Sequence, residues 1–169
     1  MNDIKAIVYT SNAGHTREYA RLLSEAAGIP AIDLKDAEKQ LPLASEVICM
    51  GWLMAGNVQG YKQAAARYTV KAVCGVGMSR TNQEQDIRKA NALPEDMPVF
   101  YLQGGYEKSR LHGLMYRMMM NMVNGSAKKK LLAKTQLTEE DKELLEMIDK
   151  GKSTVSADKL QPVLSWYRD

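Results

Sequence analysis

The polar loop after the first apolar run has the residue types best suited to binding chemistry. The run at 4–9 is typical of a short strand, and helical periodicity begins near Tyr19, so the loop joins a strand to a helix. Backbone N–H groups in such a turn and at the helix N-terminus point at one spot, which favours an anion. The candidate binding residues are Thr10, Ser11, Asn12, Ala13, Gly14, His15 and Thr16.

The composition of this loop narrows the choice of anion. The loop holds one glycine and no lysine, whereas a nucleoside-triphosphate loop needs a lysine and a dinucleotide fingerprint needs three spaced glycines. Neutral donors in a short loop suit a single monophosphate ester. The alternative interpretation is a turn that only caps the helix, because any strand-to-helix turn favours Ser, Asn and Gly.

The order of these residues resembles a known phosphate-binding motif. The segment 11–16 is similar to the flavodoxin signature Ser/Thr-x-Thr-Gly-x-Thr, with Ala13 where that family usually has a hydroxyl residue. The segment 16–20 is especially similar to the flavodoxin-like branch that contains the menaquinone-dependent protoporphyrinogen oxidases. The resemblance implies that the cofactor is flavin mononucleotide (FMN), with its phosphate in this loop.

Two later segments would hold the flavin ring under this resemblance. The segment 51–57 resembles the family loop that supplies an aromatic wall, and Trp52 would be the stacking residue; alternatively, Trp52 is a core anchor. The segment 75–81 lacks an aromatic residue, which would leave the outer face of the ring open to a substrate or redox partner. Tyr106 is within reach of the same rim. The candidate ring-binding residues are Trp52, Leu53, Met54, Ala55, Gly56, Gly75, Gly77 and Met78.

The pair Cys74 and Arg80 has the Cys-x5-Arg spacing of a thiol phosphatase loop. Val73 stands where such enzymes commonly have His, and in low-molecular-weight phosphatases this loop follows the first strand. A phosphatase is therefore the weakest hypothesis. The other cysteine is Cys49, and both lie in apolar runs, which predicts two buried, reduced thiols rather than a disulfide framework or metal site.

A methionine-rich segment at 108–123 is the second unusual feature. Its apolar residues recur at helical spacing, which predicts one long helix that ends at Gly125 or Ser126. Basic residues flank the apolar stripe, including those at 128–130. One interpretation is a helix that covers the sheet, with Met filling gaps. The other is an adaptable surface for a quinone, a partner protein or the membrane interface, where lysines meet anionic lipid.

The rest of the chain predicts the frame that positions these segments. Five β-rich runs, at 4–9, 29–34, 46–52, 69–76 and 98–103, alternate with helical periodicity that includes 59–68 and 82–92. Such alternation predicts parallel pairing through right-handed crossovers. We expect one flavodoxin-like α/β domain over residues 1–169. Its doubly wound five-stranded sheet, in the order 2-1-3-4-5, lies between two helical layers, with extra C-terminal helices at 138–150 and 156–167.

Bulk composition narrows the class of protein further. The 169 residues are 45% hydrophobic and 25% charged, as in an ordinary globular protein. The net charge of +3 does not demand nucleic acid as a partner, and it differs from the strongly acidic electron-shuttle flavodoxins. The N-terminus lacks signal-peptide features, which predicts a cytoplasmic location, with contact to the membrane surface through the 108–130 region as an alternative.

These observations together predict an FMN-binding redox protein that exchanges electrons with a partner reductase, a quinone or another small acceptor. An alternative from another class is a flavodoxin-fold accessory subunit that binds no flavin and acts through the Met-rich helix. The thiol phosphatase is the third hypothesis. No catalytic constellation stands out in the sequence, so a bound flavin would supply the redox chemistry.

Overall fold

The architecture is a mostly parallel β-sheet covered by helices, seen in a computed structural model that describes residues 3–80 and 83–169. The strands of the main sheet are β1 (Ala6–Thr10), β2 (Ala31–Asp33), β3 (Glu46–Met54), β4 (Asn57–Val58), β5 (Thr69–Gly77) and β6 (Val99–Gln103). The parallel strands lie in the order β2-β1-β3-β5-β6, and β4 pairs antiparallel with β3. The central strands form nearly continuous apolar runs because helices cover both faces of the sheet.

Helices lie on both sides of this sheet. In chain order they are α1 (His15–Ala27), α2 (Leu34–Gln40), α3 (Tyr61–Arg67), α4 (Glu84–Ala90), α5 (Leu114–Leu132), α6 (Glu139–Lys150) and α7 (Gln161–Arg168). On one face Leu23 of α1 packs in a cluster with Ile48 of β3 and with α7, and on the other Ala64 of α3 packs with Cys49. Successive strand residues point to opposite faces, so Ile48 and Cys49 belong to different layers.

The chain leaves the sheet after β6 as an arm, residues 105–153. Its neck is an antiparallel pair of short strands, β7 (Gly105–Tyr106) and β8 (Lys152–Ser153), and it carries α5 and α6. Gly105 has φ +110°, and a Cβ there would collide with the Lys152 carbonyl oxygen, so the neck requires glycine. Neither α5 nor any other helix in the described part of the chain is long and apolar enough to span a membrane.

The prediction of a mostly parallel α/β sheet between helical layers is confirmed, and the fold is compatible with a flavodoxin-like fold. The strand count and order differ from the predicted five strands in the order 2-1-3-4-5. The additional strand β4 makes the order 2-1-3-5-6, and β7 and β8 form a second sheet. Two-residue strands carry no periodicity, so a pattern argument does not find them.

The helix predictions are correct to different degrees. The pattern does not predict α2, which begins where the Asp33 side chain accepts the Lys35 N–H at 3.2 Å. The predicted end of the Met-rich helix at Gly125 or Ser126 is wrong, because α5 continues to Leu132. One glycine costs a helix only about 1 kcal/mol, which packing overrides. The predicted start of that helix is also wrong, since a 3₁₀ turn at Lys108–Arg110 precedes α5.

Both predicted C-terminal helices are present, but a 3₁₀ turn at Ala157–Leu160 precedes α7, which starts later than the predicted 156. At the start of α6, Thr138 Oγ1 accepts the Asp141 N–H at 3.1 Å, and Asp141 Oδ2 accepts the Thr138 N–H at 3.0 Å, which completes a capping box. Pro162 lies in the first turn of α7, where its missing N–H costs nothing. The predicted helix at 82–92 corresponds to α4, and Thr81 and Asn82 of the predicted segments lie outside the described residues.

Candidate functional site

The candidate site lies at the carboxyl edge of the sheet, where β1, β3 and β5 end side by side. Thr10 is in register with Gly51, and Gly51 with Gly75. The loop after β1 and the residues that continue β3 and β5 therefore meet at this edge. Ligands of open parallel sheets bind at such an edge, outside the carboxyl ends of the strands.

Ser11 organises the loop between β1 and α1. Its Oγ accepts the Gly14 N–H at 3.1 Å and the Arg17 N–H at 3.3 Å, which is the hydrogen bonding of a capping turn. The N–H groups of His15 and Thr16 in the same turn have no acceptor among the described residues. The N-terminus of α1 therefore keeps donors that suit an anion.

Two other side chains of this loop already have partners. The Thr10 hydroxyl donates to the Gln59 carbonyl oxygen at 2.5 Å, and Asn12 Oδ1 accepts the His112 N–H at 3.1 Å. The first bond ties the loop to the connection between β4 and α3, and the second ties it to the arm. The Thr10 hydroxyl hydrogen is thus engaged, whereas the bond to Asn12 uses only its acceptor, so the Asn12 Nδ2 group and the backbone N–H groups are the donors that the loop can offer.

His15 joins the loop to the arm through a hydrogen bond to Glu107. Its Nε2 lies 2.9 Å from Glu107 Oε2, and the His15 side chain is only 7% exposed. Arg110 Nη1 donates to the same carboxylate oxygen at 2.8 Å. A carboxylate only accepts, so Nε2 of His15 carries a hydrogen. The ring also packs against Gly104, where a Cβ would lie 3.0 Å from the His15 Cβ.

Trp52 stands where β3 turns into β4. The turn is Ala55-Gly56, with φ +50° and +79°, as a tight hairpin of this kind requires. The predicted loop at 51–57 is therefore mostly strand, and β3 runs through Met54. The half-buried Trp52 ring meets the ring of Tyr116 edge-to-face, with centroids 4.9 Å apart and planes at 65°. An aromatic side chain of the arm thus covers the predicted stacking residue.

Two adjoining cavities occupy this edge. The first, of about 80 Å³, lies between the loop and Trp52. The second, of about 460 Å³, lies between the β3–β4 turn and the residues after β5. Their shared walls are Leu53, Gly77, Met78, Tyr116 and Met120. Small-molecule sites measure about 300–1,000 Å³, so the second cavity has the size of a ligand, and side chains of α5 separate it from the first.

Most of the predicted site residues line these cavities. Those at the first are Asn12, Ala13, His15, Thr16, Trp52, Leu53, Gly77 and Met78. The second adds Met54, Ala55 and Gly56. The linings do not include Thr10, Ser11, Gly14 or Gly75. A Cβ on Gly75 would lie 2.7 Å from Ile87 Cδ1, so this glycine serves packing.

The sequence argument misses the contribution of the arm. Tyr116, Met120 and Glu107 line the first cavity, and all follow β6 in the chain. Tyr106, expected at the rim, lies in the same lining. A signal for Tyr116 does exist, because it is the only aromatic residue in α5. The sequence does not show, however, that Tyr116 contacts Trp52, because this contact forms only when the arm folds back over the edge of the sheet.

The structure gives the phosphatase hypothesis no support. Cys74 lies inside β5 with no exposed surface, and burial raises the pKa of its thiol far above the ordinary value. Burial likewise raises the pKa of Cys49 to about 12. A thiolate nucleophile is therefore disfavoured at both positions, and Arg80 pairs with Glu143 at 3.2 Å. Residues 3–80 and 83–169 contain no cluster of His, Cys, Asp and Glu suited to a metal ion.

Comparison of the chain with protein-family models, curated proteins and solved structures finds no match. The fold and the site therefore define the class. This is an α/β protein with a mostly parallel sheet, a helix N-terminus with free donors, and an aromatic-walled cavity at the carboxyl edge.

Proposed function

We propose that this site binds FMN and that the protein is a flavodoxin-like redox protein, nearest to the branch with the menaquinone-dependent protoporphyrinogen oxidases. One observation carries the proposal. The free N–H groups of the first turn of α1 and the ring of Trp52 belong to residues that line the first cavity, and the ligand-sized second cavity, of about 460 Å³, adjoins it at Leu53 and Met78. A monophosphate ester that carries a planar ring is the kind of ligand that such a pair suits.

The residues of the site fit the two ends of this ligand. The N–H groups of His15 and Thr16 would hold the phosphate, and no acidic side chain lies within the loop at 10–16. Apolar walls formed by Leu53 and Met78 would surround the ring. When bound, FMN supplies the redox-active ring, and the chain binds, orients and covers it. A partner reductase, a quinone or another small acceptor would then exchange electrons with the protein.

Titration of the purified apoprotein with FMN and with riboflavin tests this proposal, with quenching of flavin fluorescence as the readout. Riboflavin lacks the phosphate, so we expect it to bind roughly 10- to 100-fold more weakly, the value of one or two charge-assisted hydrogen bonds. Equal affinity for the two ligands would place the phosphate elsewhere. A protein that quenches neither ligand would contradict the proposal.

A matched pair of tryptophan variants locates the ring. Trp52→Leu should weaken FMN binding, because it removes the aromatic wall. Trp166→Leu is the control, since Trp166 packs on Phe100 at 6.0 Å and is not part of either cavity lining. If both variants bind FMN as the parent protein does, Trp52 is not the stacking residue.

The second candidate is a flavin-free accessory protein that acts through α5. Two observations favour it: Ser11 already accepts two N–H groups of the loop, and Tyr116 already covers Trp52. A colourless protein that fails to bind added FMN, yet is retained by a partner through α5, would establish this function. Loss of that interaction on changing Met118 to Glu, with Leu43→Glu as a control, would assign it to the exposed face.

A further inference from the structure

The outer face of α5 carries exposed apolar side chains at a regular spacing. Met115 is 86% exposed, Met122 71% and Met118 62%. Alternating steps of three and four residues continue this row along the whole helix, and the row, here called the α5 stripe, consists of Met115, Met118, Met122, Gly125, Lys129 and Leu132. This spacing is that of the seam residues of a coiled coil. The stripe therefore has the pattern of a surface that packs against another helix.

The opposite face of α5 is fixed to the rest of the chain. Tyr116 packs on Trp52, and Leu131 is buried at 7% exposure. Lys128 Nζ donates to Asp149 Oδ1 of α6. These contacts hold the stripe outward as a preformed surface, and such a surface loses little conformational freedom when a partner binds.

The apolar area of this face is sufficient for a dimer of the chain. Leu114, 75% exposed, and Leu132, 63% exposed, extend the apolar surface to both ends of α5. With the three methionines of the stripe they make five exposed apolar side chains per copy. Two copies at roughly 100 Å² of apolar surface per side chain contribute about 1,000 Å², which is the lower bound for a specific interface.

An antiparallel pair of α5 helices makes the stripe complementary to itself. In this register each stripe residue meets one of the second copy, in the pairs Met115 with Leu132, Met118 with Lys129, and Met122 with Gly125. A two-fold axis repeats each contact. At the centre, a Cβ on Gly125 would meet nothing within 4 Å of its own chain. The large side chain of Met122 from the second copy fills that space, as close packing requires.

The charges of α5 also favour the antiparallel direction. Lys129 is the only charged residue of the stripe. At 1.5 Å per residue the two copies of Lys129 lie about 16 Å apart along an antiparallel pair, beyond the screening length of about 8 Å, whereas a parallel pair brings them into contact. At the flanking positions Lys128 lies opposite Asn121, and Met119 lies opposite Ser126. No two cations of the stripe or of its flanks therefore face each other.

A lipid surface is the other occupant that an exposed apolar helix suggests. Such a helix binds anionic lipid through cations along the borders of its apolar face. Here Lys128 is engaged by Asp149, and Lys129 lies in the middle of the stripe. The charge pattern thus favours a second helix over lipid.

We propose that the α5 stripe is the interface of a homodimer in which two copies of α5 pack antiparallel about a two-fold axis. The stem of Lys129 lies along Met118 of the second copy and carries its ammonium group to water. A single lysine at a seam position fixes the register at some cost in stability. The proposal does not rest on the proposed function, because the stripe faces away from the cavities.

The first experiment is sedimentation equilibrium of the full chain over a range of protein concentrations. We expect a mass of twice 18.9 kDa, with a dissociation constant in the micromolar range, as suits an interface of about 1,000 Å². Added salt should not weaken the association, because no ion pair crosses the interface. At nanomolar concentration the chain is then a monomer, with Met118 in solvent as the structure shows.

A pair of variants that add the same charge locates the interface. Met122→Glu should weaken the association roughly 100-fold or more, because each copy buries a carboxylate at the centre of the stripe. Leu43→Glu is the control, since Leu43 is 68% exposed and lies outside the arm, and it should dimerise as the parent protein does. Both positions are exposed in the single chain, so both variants should fold, which unfolding at nanomolar concentration checks.

Cysteine cross-linking tests the direction of the pair. Chains with Met115→Cys mixed with chains with Leu132→Cys should form a disulfide-linked dimer under mild oxidation, because the register places these positions opposite each other. Met115→Cys alone should not cross-link, since its two copies lie about 25 Å apart. The native Cys49 and Cys74 are buried and do not interfere.

Each contrary result overturns a stated part of the proposal. A chain that stays monomeric at submillimolar concentration has no such dimer, and its sedimentation with phosphatidylglycerol vesicles, lost in Met122→Glu, would assign the stripe to lipid. A Met122→Glu chain that dimerises like the parent places the interface elsewhere. Self-cross-linking of Met115→Cys shows a parallel pair. None of these measurements involves flavin, so their failure and the failure of FMN binding are separate results.

Discussion

Two buried asparagines, one beside the sheet and one in the arm, differ in how fully their side chains are hydrogen-bonded. Asn91 follows α4 and has all its groups engaged: Oδ1 accepts the Val58 N–H at 3.0 Å, and Nδ2 donates to the Gly56 and Ile87 carbonyl oxygens. Asn124, in α5, is just as buried, but its Nδ2 has no partner in the described residues. Buried polar atoms without a hydrogen-bond partner among the described residues also occur beside the sheet, at Arg67 Nε and Tyr68 Oη. The contrast therefore concerns these two asparagines and not the sheet and the arm as wholes.

The apolar side chains of the sheet layers and of the arm differ in how much of their surface is exposed. Ile48 and Leu23 have no exposed surface, as expected for the centre of a layered fold. Met115 and Met118, in the arm, are mostly exposed. Elements with few buried contacts have the lowest local stability and are those that move in ligand-gated changes. Low packing is a property of the outer face of α5 and not of the whole arm, because Tyr106, Leu111 and Met147 of the arm form a buried cluster.

The largest expected effect compares the two regions at apolar positions. Ile48→Ala should destabilise the protein by about 2–5 kcal/mol, because it leaves a cavity between two packed layers. Met118→Ala should change stability by less than about 0.5 kcal/mol, since that side chain lies mostly in solvent. Denaturant unfolding measures both values. A large loss at Met118 would mean that α5 is packed more fully than its exposure indicates.

The next largest expected change in the free energy of unfolding comes from replacing the two buried asparagines. Asn91→Leu should cost about 2–4 kcal/mol, because it removes the partner of the Val58 N–H and of the Gly56 carbonyl oxygen; the Ile87 carbonyl oxygen keeps the backbone N–H of residue 91. Asn124→Leu should be neutral or stabilising by about 1 kcal/mol, since it removes an unsatisfied group. Thermal unfolding of both variants decides the comparison. Destabilisation by Asn124→Leu would show that the amide has a partner in solution, such as an ordered water.

Alanine substitutions of two glycines, one in the neck and one in α5, should change the stability of the arm in opposite directions. Gly105→Ala should destabilise the closing of the arm by roughly 1–3 kcal/mol, since a Cβ collides with the Lys152 carbonyl oxygen and φ is positive. Gly125→Ala, in the middle of α5, meets nothing within 4 Å and should stabilise the helix by about 0.5–1 kcal/mol. Hydrogen exchange of the α5 amides measures both. Faster exchange in Gly125→Ala would contradict the assigned helix.

The smallest effect is the pH dependence of α6. The hydrogen bond from Lys134, together with the bond to Thr138, lowers the pKa of Asp141 from its ordinary 3.8. The folded carboxyl therefore stays ionised where the unfolded one is protonated. Its stabilisation of the cap is present above that ordinary value and is lost as the pH falls through the lower folded pKa. The protection of the amides at the start of α6 against hydrogen exchange, relative to the intrinsic rate at each pH, should fall in the parent protein as the pH passes through the folded pKa of Asp141. In Asp141→Asn this protection should not change over the same pH range.

The sheet edge illustrates how much of this molecule its sequence predicts. The apolar runs of β1, β3 and β5 give the parallel sheet and the position of the loop at 10–16, because period and turn residues are local signals. The extension of β3 through Met54 and the short strand β4 are missed, since a two-residue strand exists only through its pairing partner. The residue types of the loop at 10–16 are also those of a turn that caps a helix, but they do not specify that Ser11 accepts the Gly14 and Arg17 N–H groups.

The amino-acid pattern is enough to predict the layers of the fold, the candidate loop and the unusual character of the methionine-rich segment. Those features follow from periodicity and residue type, which depend on near neighbours in the chain. The contact of Glu107 with His15, 92 residues away, and the contact of Tyr116 with Trp52 are seen only in the folded chain. Such contacts depend on where the arm folds back, and its position depends on a two-strand neck and on packing between distant segments. Local patterns carry no information about either.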